Sequence, residues 1–227
     1  MPSRPLVAFD LDGVLFSSEP FLGAAYREAI QLVNRQRPGS FSRVPETREI
    51  LDHVGWPVPI ILARLFPAVG EEAVQLLHVA TLDVICTRVA AGEGTLYSDV
   101  AETLRSLERQ GYALAIASNG RGPYIEAVLT TYGIVDCFLP RVTADMVGDK
   151  GAILRTYSER HGIGPTGMVM IGDRTSDVEA AQAIGCGFIG CDYGHGYRQE
   201  IEAAGPVVSR FRDLPAAIGQ ALPDPLP

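Results

Sequence analysis

The stretch Leu6-Val7-Ala8-Phe9-Asp10-Leu11-Asp12-Gly13 is the starting point for interpreting this sequence. Its first four residues form a short apolar run, which is typical of a buried strand. Asp10 and Asp12 follow that run directly, and residues two apart in an extended segment point the same way. Two carboxylates held close together are unfavourable unless a proton or a cation lies between them. The stretch therefore indicates a buried strand with a paired-carboxylate site at its end.

A helical block follows this first strand. From Glu19 to about Gly92, apolar residues recur at helical spacing, as in Phe21, Ala25 and Ala29, and prolines and glycines interrupt the pattern. About four helices and no strand are predicted here. The block interrupts the sheet immediately after its first strand, so we expect it to lie over the carboxyl ends of the strands.

After Gly92 the pattern alternates between strands and helices. A helix capped by Ser98 is followed by predicted strands at 112–117, 168–171, 187–191 and 207–208, with helices between them and a last helix at 211–222. This alternation predicts an α/β fold with a parallel sheet and helices on both faces. Residues 223–227 are expected to form a frayed tail.

Composition excludes several classes of function. The chain has 227 residues, of which 47% are hydrophobic and 20% charged, so neither disorder nor a coiled coil is expected. A net charge of −8 disfavours nucleic acid and anionic membranes as partners. No signal peptide and no apolar stretch of membrane-spanning length is recognised, and four cysteines without a C-x-x-C pair indicate reduced thiols in the cytoplasm. Lys150 is the single lysine among 19 basic residues.

Four polar clusters carry the candidate chemistry. Asp10 and Asp12 follow the first strand, Ser118-Asn119-Gly120 follows the strand at 112–117, Lys150 opens a helix, and 172–177 follows the strand at 168–171. Each cluster alone has an ordinary structural explanation, as a turn, a loop, a surface cation or a helix cap. Since all four are expected at the same edge of one parallel sheet, a shared site explains them better.

Taken in order, the four clusters resemble the motifs of the haloacid dehalogenase-like hydrolase superfamily, in its phosphoglycolate phosphatase-like branch with a helical cap. Asp10-Leu11-Asp12-Gly13-Val14-Leu15 is similar to the first motif, Ser118-Asn119 to the second, Lys150 to the third, and Gly172-Asp173 through Asp177 to the fourth. Val14 stands where Thr is commoner, and Gly151 follows Lys150 where the branch often has Pro.

The resemblance covers nearly the whole chain and implies its organisation. It implies a Rossmann-like catalytic core of residues 1–16 and 93–227, with a helical cap of residues 17–92 inserted after the first strand. The implied activity is a Mg²⁺-dependent phosphatase that acts on a small phosphorylated metabolite, with 2-phosphoglycolate as the leading substrate. The protein is expected to be a monomer or a homodimer.

The resemblance also implies roles for individual residues. Asp10 would be the nucleophile that forms an aspartyl-phosphate, Asp12 the acid and base, and Lys150 a compact positive charge. Ser118, Asn119 and Gly120 would hold the phosphate. Mg²⁺ would bind Asp10, the backbone carbonyl of Asp12, Asp173 and Asp177, the last either directly or through water.

Other chemistries of the superfamily remain as alternatives. A sugar-phosphate mutase of the β-phosphoglucomutase kind usually carries a His where Leu22 stands. A 2-haloacid dehalogenase lacks the second aspartate, and phosphonate-cleaving relatives need a lysine in the cap. A non-enzymatic binding module would tend to lose a motif.

The cap also holds candidate substrate contacts, which are Arg43, Arg48, Trp56 and Arg64. The loop 53–57 is expected to face the site. His78 and His161 are interpreted as helix-face residues, and His195 is left unassigned.

Overall fold

A five-stranded parallel sheet forms the centre of the computed structural model, which describes residues 4–222. The tail expected at 223–227 lies outside these residues. The strands of the sheet are β1 Leu6–Phe9, β4 Ala113–Ile116, β5 Met168–Gly172, β6 Gly187–Cys191 and β7 Val207–Val208. Across the sheet they lie in the order β4-β1-β5-β6-β7. The predicted α/β fold with a parallel sheet is confirmed.

Strand β1 lies in the middle of the sheet and positions the site. Phe9 pairs in register with Ile116 of β4 on one side and with Ile171 of β5 on the other. All four residues of β1 are buried, which explains why its sequence is continuously apolar. Because these strands are parallel, the residues that follow β1, β4 and β5 meet at one edge of the sheet.

Helices cover both faces of the sheet. They are α5 Val100–Arg109, α6 Gly122–Thr131, α7 Ala144–Val147, α8 Lys150–His161, α9 Thr175–Ile184, α10 Arg198–Ile201 and α11 Leu214–Ala221.

The prediction that Ser98 caps helix α5 is wrong. Helix α5 begins after Asp99, which adopts a left-handed φ of 68° and forms no side-chain cap bond. A short polar side chain such as that of Asp tolerates this conformation.

The inserted block is helical, as predicted. Within the described chain, residues 19–90 form α1 Glu19–Gln36, α2 Thr47–Leu51, α3 Val58–Leu65 and α4 Glu71–Ala90. Two short strands that the sequence did not predict, β2 Phe16–Ser17 and β3 Thr95–Leu96, pair antiparallel where the chain leaves the sheet and returns to it. Helix α4 packs against α1 and also against α6, so the insertion contacts the helices of the sheet.

Helix α4 differs from one expectation. Its 20 residues are long and apolar enough, by length and composition alone, to cross a membrane, whereas the sequence was expected to hold no such segment. This is the one such helix between residues 4 and 222. It is weak evidence for a membrane span, because core helices of globular proteins pass the same test, and α4 packs against α1 and α6.

Candidate active site

Lys150 lies between two carboxylates at the carboxyl edge of the sheet. Its Nζ atom is 2.6 Å from Oδ2 of Asp10 and 2.6 Å from Oδ1 of Asp177, and the side chain of Lys150 is 2% exposed. The residue is the first of helix α8, whose N-cap, Asp149, accepts a hydrogen bond from the backbone N–H of Ala152. The cap fixes the start of α8, and the start of α8 directs the ammonium into the site.

Asp177 is held in place by the backbone at the start of α9. Its Oδ2 accepts hydrogen bonds from the N–H groups of Asp173, at 3.1 Å, and Arg174, at 3.0 Å. Its Oδ1 accepts from Lys150. Both oxygens of Asp177 are therefore already engaged by the protein. Gly172 allows this arrangement, since a Cβ there would lie 2.2 Å from the Cβ of Asp177.

Asp173 has one oxygen bound and one oxygen available. Its Oδ2 accepts hydrogen bonds from the N–H groups of His195 and Gly196, at 2.8 and 3.0 Å. Its Oδ1 is buried and has no hydrogen-bond partner among the described residues. Gly13 faces this carboxylate with a φ of +81°, and a Cβ at Gly13 would come within 2.2 Å of Oδ2. A side chain at position 13 is excluded by both conformation and space.

The three buried carboxylates fit a hard divalent cation. Asp10, Asp173 and Asp177 each offer an oxygen within 4.8 Å of the others. Lys150 neutralises one of three negative charges, so the cluster keeps a net charge of about −2 if all are ionised. Oxygen ligands of this kind are what Mg²⁺ and Ca²⁺ prefer, and Oδ1 of Asp173 accepts no hydrogen bond from residues 4–222. The residues present could therefore hold a metal ion.

Burial and mutual repulsion affect how these groups ionise. Burial, followed by the charges of Asp177 and Asp10, raises the pKa of Asp173 well above its usual value. Burial also raises the pKa of Asp177, against the attraction of Lys150. For Lys150, burial opposes the charged form, but the charges of Asp10 and Asp177 outweigh it and raise the pKa of the ammonium. An added cation would favour the ionised carboxylates.

Asp12 lies in a different environment from Asp10. Its Oδ1 accepts a 2.8 Å hydrogen bond from the hydroxyl of Tyr124, in the first turn of α6. Burial raises the pKa of Asp12 to about 6, although hydrogen bonds from Tyr124 and Ser18 oppose this shift. Asp10 instead accepts from Lys150 and from the N–H of Leu11. The two carboxylates are therefore held in environments suited to different roles. Tyr124 was not among the sequence candidates.

The second polar cluster joins the sheet to the insertion. Ser118 and Asn119 are buried beyond the end of β4, and the hydroxyl of Ser118 accepts from the N–H of Gly120 at 3.2 Å. Nδ2 of Asn119 donates to the carbonyl of Gly55 at 2.9 Å, and Oγ of Ser176 donates to the same carbonyl at 3.1 Å. Asn119 and Ser176, at the edge of the sheet, thus contact the loop 53–57 of the insertion. This loop was expected to face the site.

A cavity opens between this cluster and the inserted helices. The space inside it that the centre of a water molecule can occupy is about 90 Å³. Asp10, Asp12 and the residues 118–120 line one side of it. Leu22 also lines it, at the place where the mutase-type relatives usually carry a His. One side of the candidate active site is therefore polar and formed by residues at the edge of the sheet, and the other side is formed by the insertion.

Of the candidates in the insertion, Trp56 lines this cavity and the three arginines do not. Arg43 is paired with Glu49, Arg48 is paired with Asp52, and the guanidinium of Arg64 lies over the ring of Trp56. These arginines interact at the surface of the insertion with partners that are close to them in the chain, namely two carboxylates and the ring of Trp56.

Two residues from elsewhere in the chain line the cavity instead. Arg121 follows Gly120 directly, and His78, expected on an ordinary helix face, lines the cavity as well. The position of Arg121, next to the second motif, is a signal that could have identified it, whereas nothing local in the sequence marks His78.

His195 lies beside Asp173 and helps to hold its carboxylate in place. Its backbone N–H donates to Asp173, while its ring is buried and its Nε2 has no hydrogen-bond partner within residues 4–222. Burial, followed by the charge of Arg174, lowers the pKa of His195 to about 4. The ring is therefore neutral near pH 7.

The fold and the site together define a class of protein. It is an α/β protein with three buried carboxylates and one buried ammonium at the carboxyl edge of a parallel sheet, beneath an inserted helical block. A family model described as haloacid dehalogenase-like hydrolase matches residues 5–185. The chain belongs to this family, in the branch of the phosphoglycolate phosphatases, and it is a phosphoric monoester hydrolase.

Relatives cover almost the full chain. A phosphoglycolate phosphatase of Vibrio vulnificus is 31% identical over 211 residues, which are 88% of this chain and 89% of the relative. A phosphoglycolate phosphatase of Pectobacterium atrosepticum is 31% identical over 223 residues, covering 95% and 92%. The crystal structure of a predicted phosphoglycolate phosphatase from Haemophilus somnus shares the fold, with a TM-score of 0.82 and 23% identity over 95% of this chain and 98% of that one.

Proposed function

We propose that this protein is a Mg²⁺-dependent phosphatase that hydrolyses a small phosphomonoester through an aspartyl-phosphate on Asp10. The observation that supports this most is the contact of Asp10 with the buried ammonium of Lys150, beside a second carboxylate, Asp12, that is held separately by Tyr124. The relatives named phosphoglycolate phosphatase point to a phosphate ester of the same kind as substrate.

The proposed reaction has two steps that share the same residues. A carboxylate oxygen of Asp10 attacks phosphorus, the bond to the ester oxygen breaks, and Asp12 gives its proton to the departing alkoxide. Water then attacks the aspartyl-phosphate, Asp12 takes its proton, and inorganic phosphate leaves. The pKa of about 6 at Asp12 suits this exchange, because the group can hold a proton and release it near neutral pH.

Asp10, the backbone carbonyl of Asp12 and Asp173 would hold Mg²⁺. A bound divalent ion would neutralise part of the negative charge on the phosphate oxygens. Since both oxygens of Asp177 are engaged by Lys150 and by backbone N–H groups, we propose that Asp177 acts on the ion through water or by positioning its neighbours. Ser118, Asn119 and Gly120 would hold the remaining phosphate oxygens, and Lys150 would complete the positive charge.

Residues 17–92 would act as a cap over a core of residues 1–16 and 93–227. The hydrogen bonds from Asn119 and Ser176 to Gly55 support a closed arrangement that excludes water from Asp10. A cytoplasmic location is proposed on the four cysteines, which are all free.

Phosphate release from a panel of monoesters tests the proposal. We expect the purified protein to release inorganic phosphate with Mg²⁺, to stop in excess chelator, and to resume when Mg²⁺ is restored. Asp10→Asn should be inactive. Interconversion of sugar-phosphate isomers that depends on a bisphosphate primer would favour the mutase alternative, and full activity in Asp10→Asn would overturn the assignment of the nucleophile.

A further inference from the structure

The cap side of the cavity is mostly apolar. Trp56, Ile61, Leu82 and Ile85 line it there, opposite the carboxylates. Such a wall offers no partners for the several hydroxyl groups of a sugar, and burying those hydroxyls without partners is costly. The wall therefore favours a leaving group with an apolar body.

Thr81 brings a hydroxyl to this mostly apolar wall. Thr81 in α4 is 3% exposed, and its Oγ1 has no hydrogen-bond partner in the described part of the chain. Threonines in helices commonly bond the carbonyl four residues earlier. Thr87 in the same helix does so with Asp83, and Thr156 does so with Ala152, both at 2.8 Å. The hydroxyl of Thr81 is instead left free beside the cavity.

His78 lies one turn before Thr81 on the same face of α4. Its Nε2 is buried without a partner among the described residues, and it also lines the cavity. Burial, followed by the charge of Arg121, lowers the pKa of His78, so its ring is neutral near pH 7. Two polar atoms without a partner among residues 4–222 thus occur one turn apart in a wall that is mostly apolar.

Arg121 brings a positive charge to the same place. Its Nη1 donates to the carbonyl of His78 at 3.3 Å, and its side chain lines the cavity directly after the residues 118–120. Within residues 4–222 it takes part in no ion pair within 4.0 Å, although Asp145 is near enough to influence His78. A guanidinium without a carboxylate partner, facing a cavity, is suited to bind a carboxylate of the ligand.

We propose that Arg121, Thr81 and His78 form a subsite for a carboxylate on the leaving group, and that the substrate is the phosphate ester of a hydroxy acid with an apolar side chain. This inference rests on the proposed phosphatase function. Arg121 supplies the charge, Thr81 donates to one carboxylate oxygen, and His78 donates from its ring. Trp56, Ile61, Leu82 and Ile85 surround the apolar side chain.

A set of matched substrates tests the substrate class. Phosphate release is compared for 2-phosphoglycolate, the phosphate ester of 3-phenyllactate, and 1-phenylpropan-2-yl phosphate, in which a methyl replaces the carboxylate of the phenyllactate ester. We expect the phenyllactate ester to exceed each of the others in kcat/KM by about ten-fold or more, because each comparison removes either the apolar body or the charged group.

Variants test the residues. Arg121→Gln and Thr81→Val should lower kcat/KM for the phenyllactate ester by about ten-fold or more while changing that for 1-phenylpropan-2-yl phosphate little. Thr81→Ser should restore most of the loss, since it keeps the hydroxyl. Thr87→Val is the matched control in the same helix, because the hydroxyl of Thr87 is bonded to the helix itself, and it should behave as wild type.

The outcomes separate this inference from the proposed function. Release of phosphate without preference for the carboxylate or the phenyl group, or an equal loss on both phenyl substrates in Arg121→Gln and Thr81→Val, would overturn the subsite and leave the phosphatase intact. Failure to release phosphate from every monoester, including those without a carboxylate, would overturn the proposed function and the subsite together.

Discussion

The Nζ atom of Lys150 lies 2.6 Å from Oδ2 of Asp10, although 140 residues separate them in the chain. Both side chains are almost fully buried, and Lys150 also contacts Asp177 at 2.6 Å. An isolated buried charge would be costly, and the two carboxylates beside Lys150 raise the pKa of its ammonium against the effect of burial.

Replacing Lys150 by Arg tests whether charge alone is sufficient. A guanidinium is larger and planar, and the ammonium here reaches three oxygens, including Oγ of Ser176 at 3.4 Å, in a closed space. We expect the kcat of phosphate release in Lys150→Arg to fall by roughly 100-fold or more, with a lower melting temperature because a buried network is disturbed. Near-normal turnover would show that Lys150 serves only as a charge.

The loss of kcat on replacing Asp12 should be larger for a poorer leaving group. An alkyl alcohol needs a proton as it departs, whereas p-nitrophenolate does not. Asp12→Asn should therefore lower kcat for an alkyl phosphate far more than for p-nitrophenyl phosphate, by about 100-fold against a few-fold. In the control Tyr124→Phe, which removes one hydrogen bond to Asp12, both substrates should be hydrolysed with smaller losses. Equal losses on both substrates in Asp12→Asn would argue against proton transfer by Asp12.

Metal binding should be visible without any assay of activity. A ligand that binds only the folded state raises the melting temperature in a concentration-dependent way, and a cation also relieves repulsion among Asp10, Asp173 and Asp177. We expect Mg²⁺ to raise the melting temperature of the wild-type protein by several degrees. Asp173→Asn should lose most of this shift, since it alters the carboxylate whose Oδ1 is free. An identical shift in the variant would place the ion elsewhere.

We propose that residues 17–92 are held over the core in part by the carbonyl of Gly55, which receives hydrogen bonds from Asn119 and Ser176. Gly55 has a φ of +103°, and a Cβ there would lie 3.1 Å from Cγ of Arg174. Gly55→Ala should strain this loop, raise amide exchange across residues 51–57 and lower kcat/KM by about ten-fold. Gly70→Ala is the matched control in the same block, because its φ is −63° and a Cβ there meets nothing within 4 Å. Unchanged exchange in Gly55→Ala would show that the contact does not hold the cap.

The sequence predicted the sheet and the polar edge because both depend on local patterns. A strand buried on both faces is continuously apolar, as in β1, and parallel strands bring Asp10, Ser118 and Asp173 to one edge. The places of Thr81, His78 and Tyr124 at the site could not be predicted in this way. Thr81 and His78 look like ordinary helical residues until α4 packs against α6, and the hydroxyl of Tyr124 reaches Asp12 across 112 residues.

The most direct test of the account is detection of the covalent intermediate on Asp10. The protein is mixed with substrate and Mg²⁺, quenched in acid within the first turnovers, and digested for peptide mass spectrometry. We predict one added phosphoryl group on the peptide that contains Asp10, mapped to that carboxylate, and none in Asp10→Asn. Phosphate release by the wild-type protein with no phosphoryl group on Asp10 at any quench time, together with inversion of configuration at a chiral phosphorus, would contradict the account, because both indicate direct attack by water.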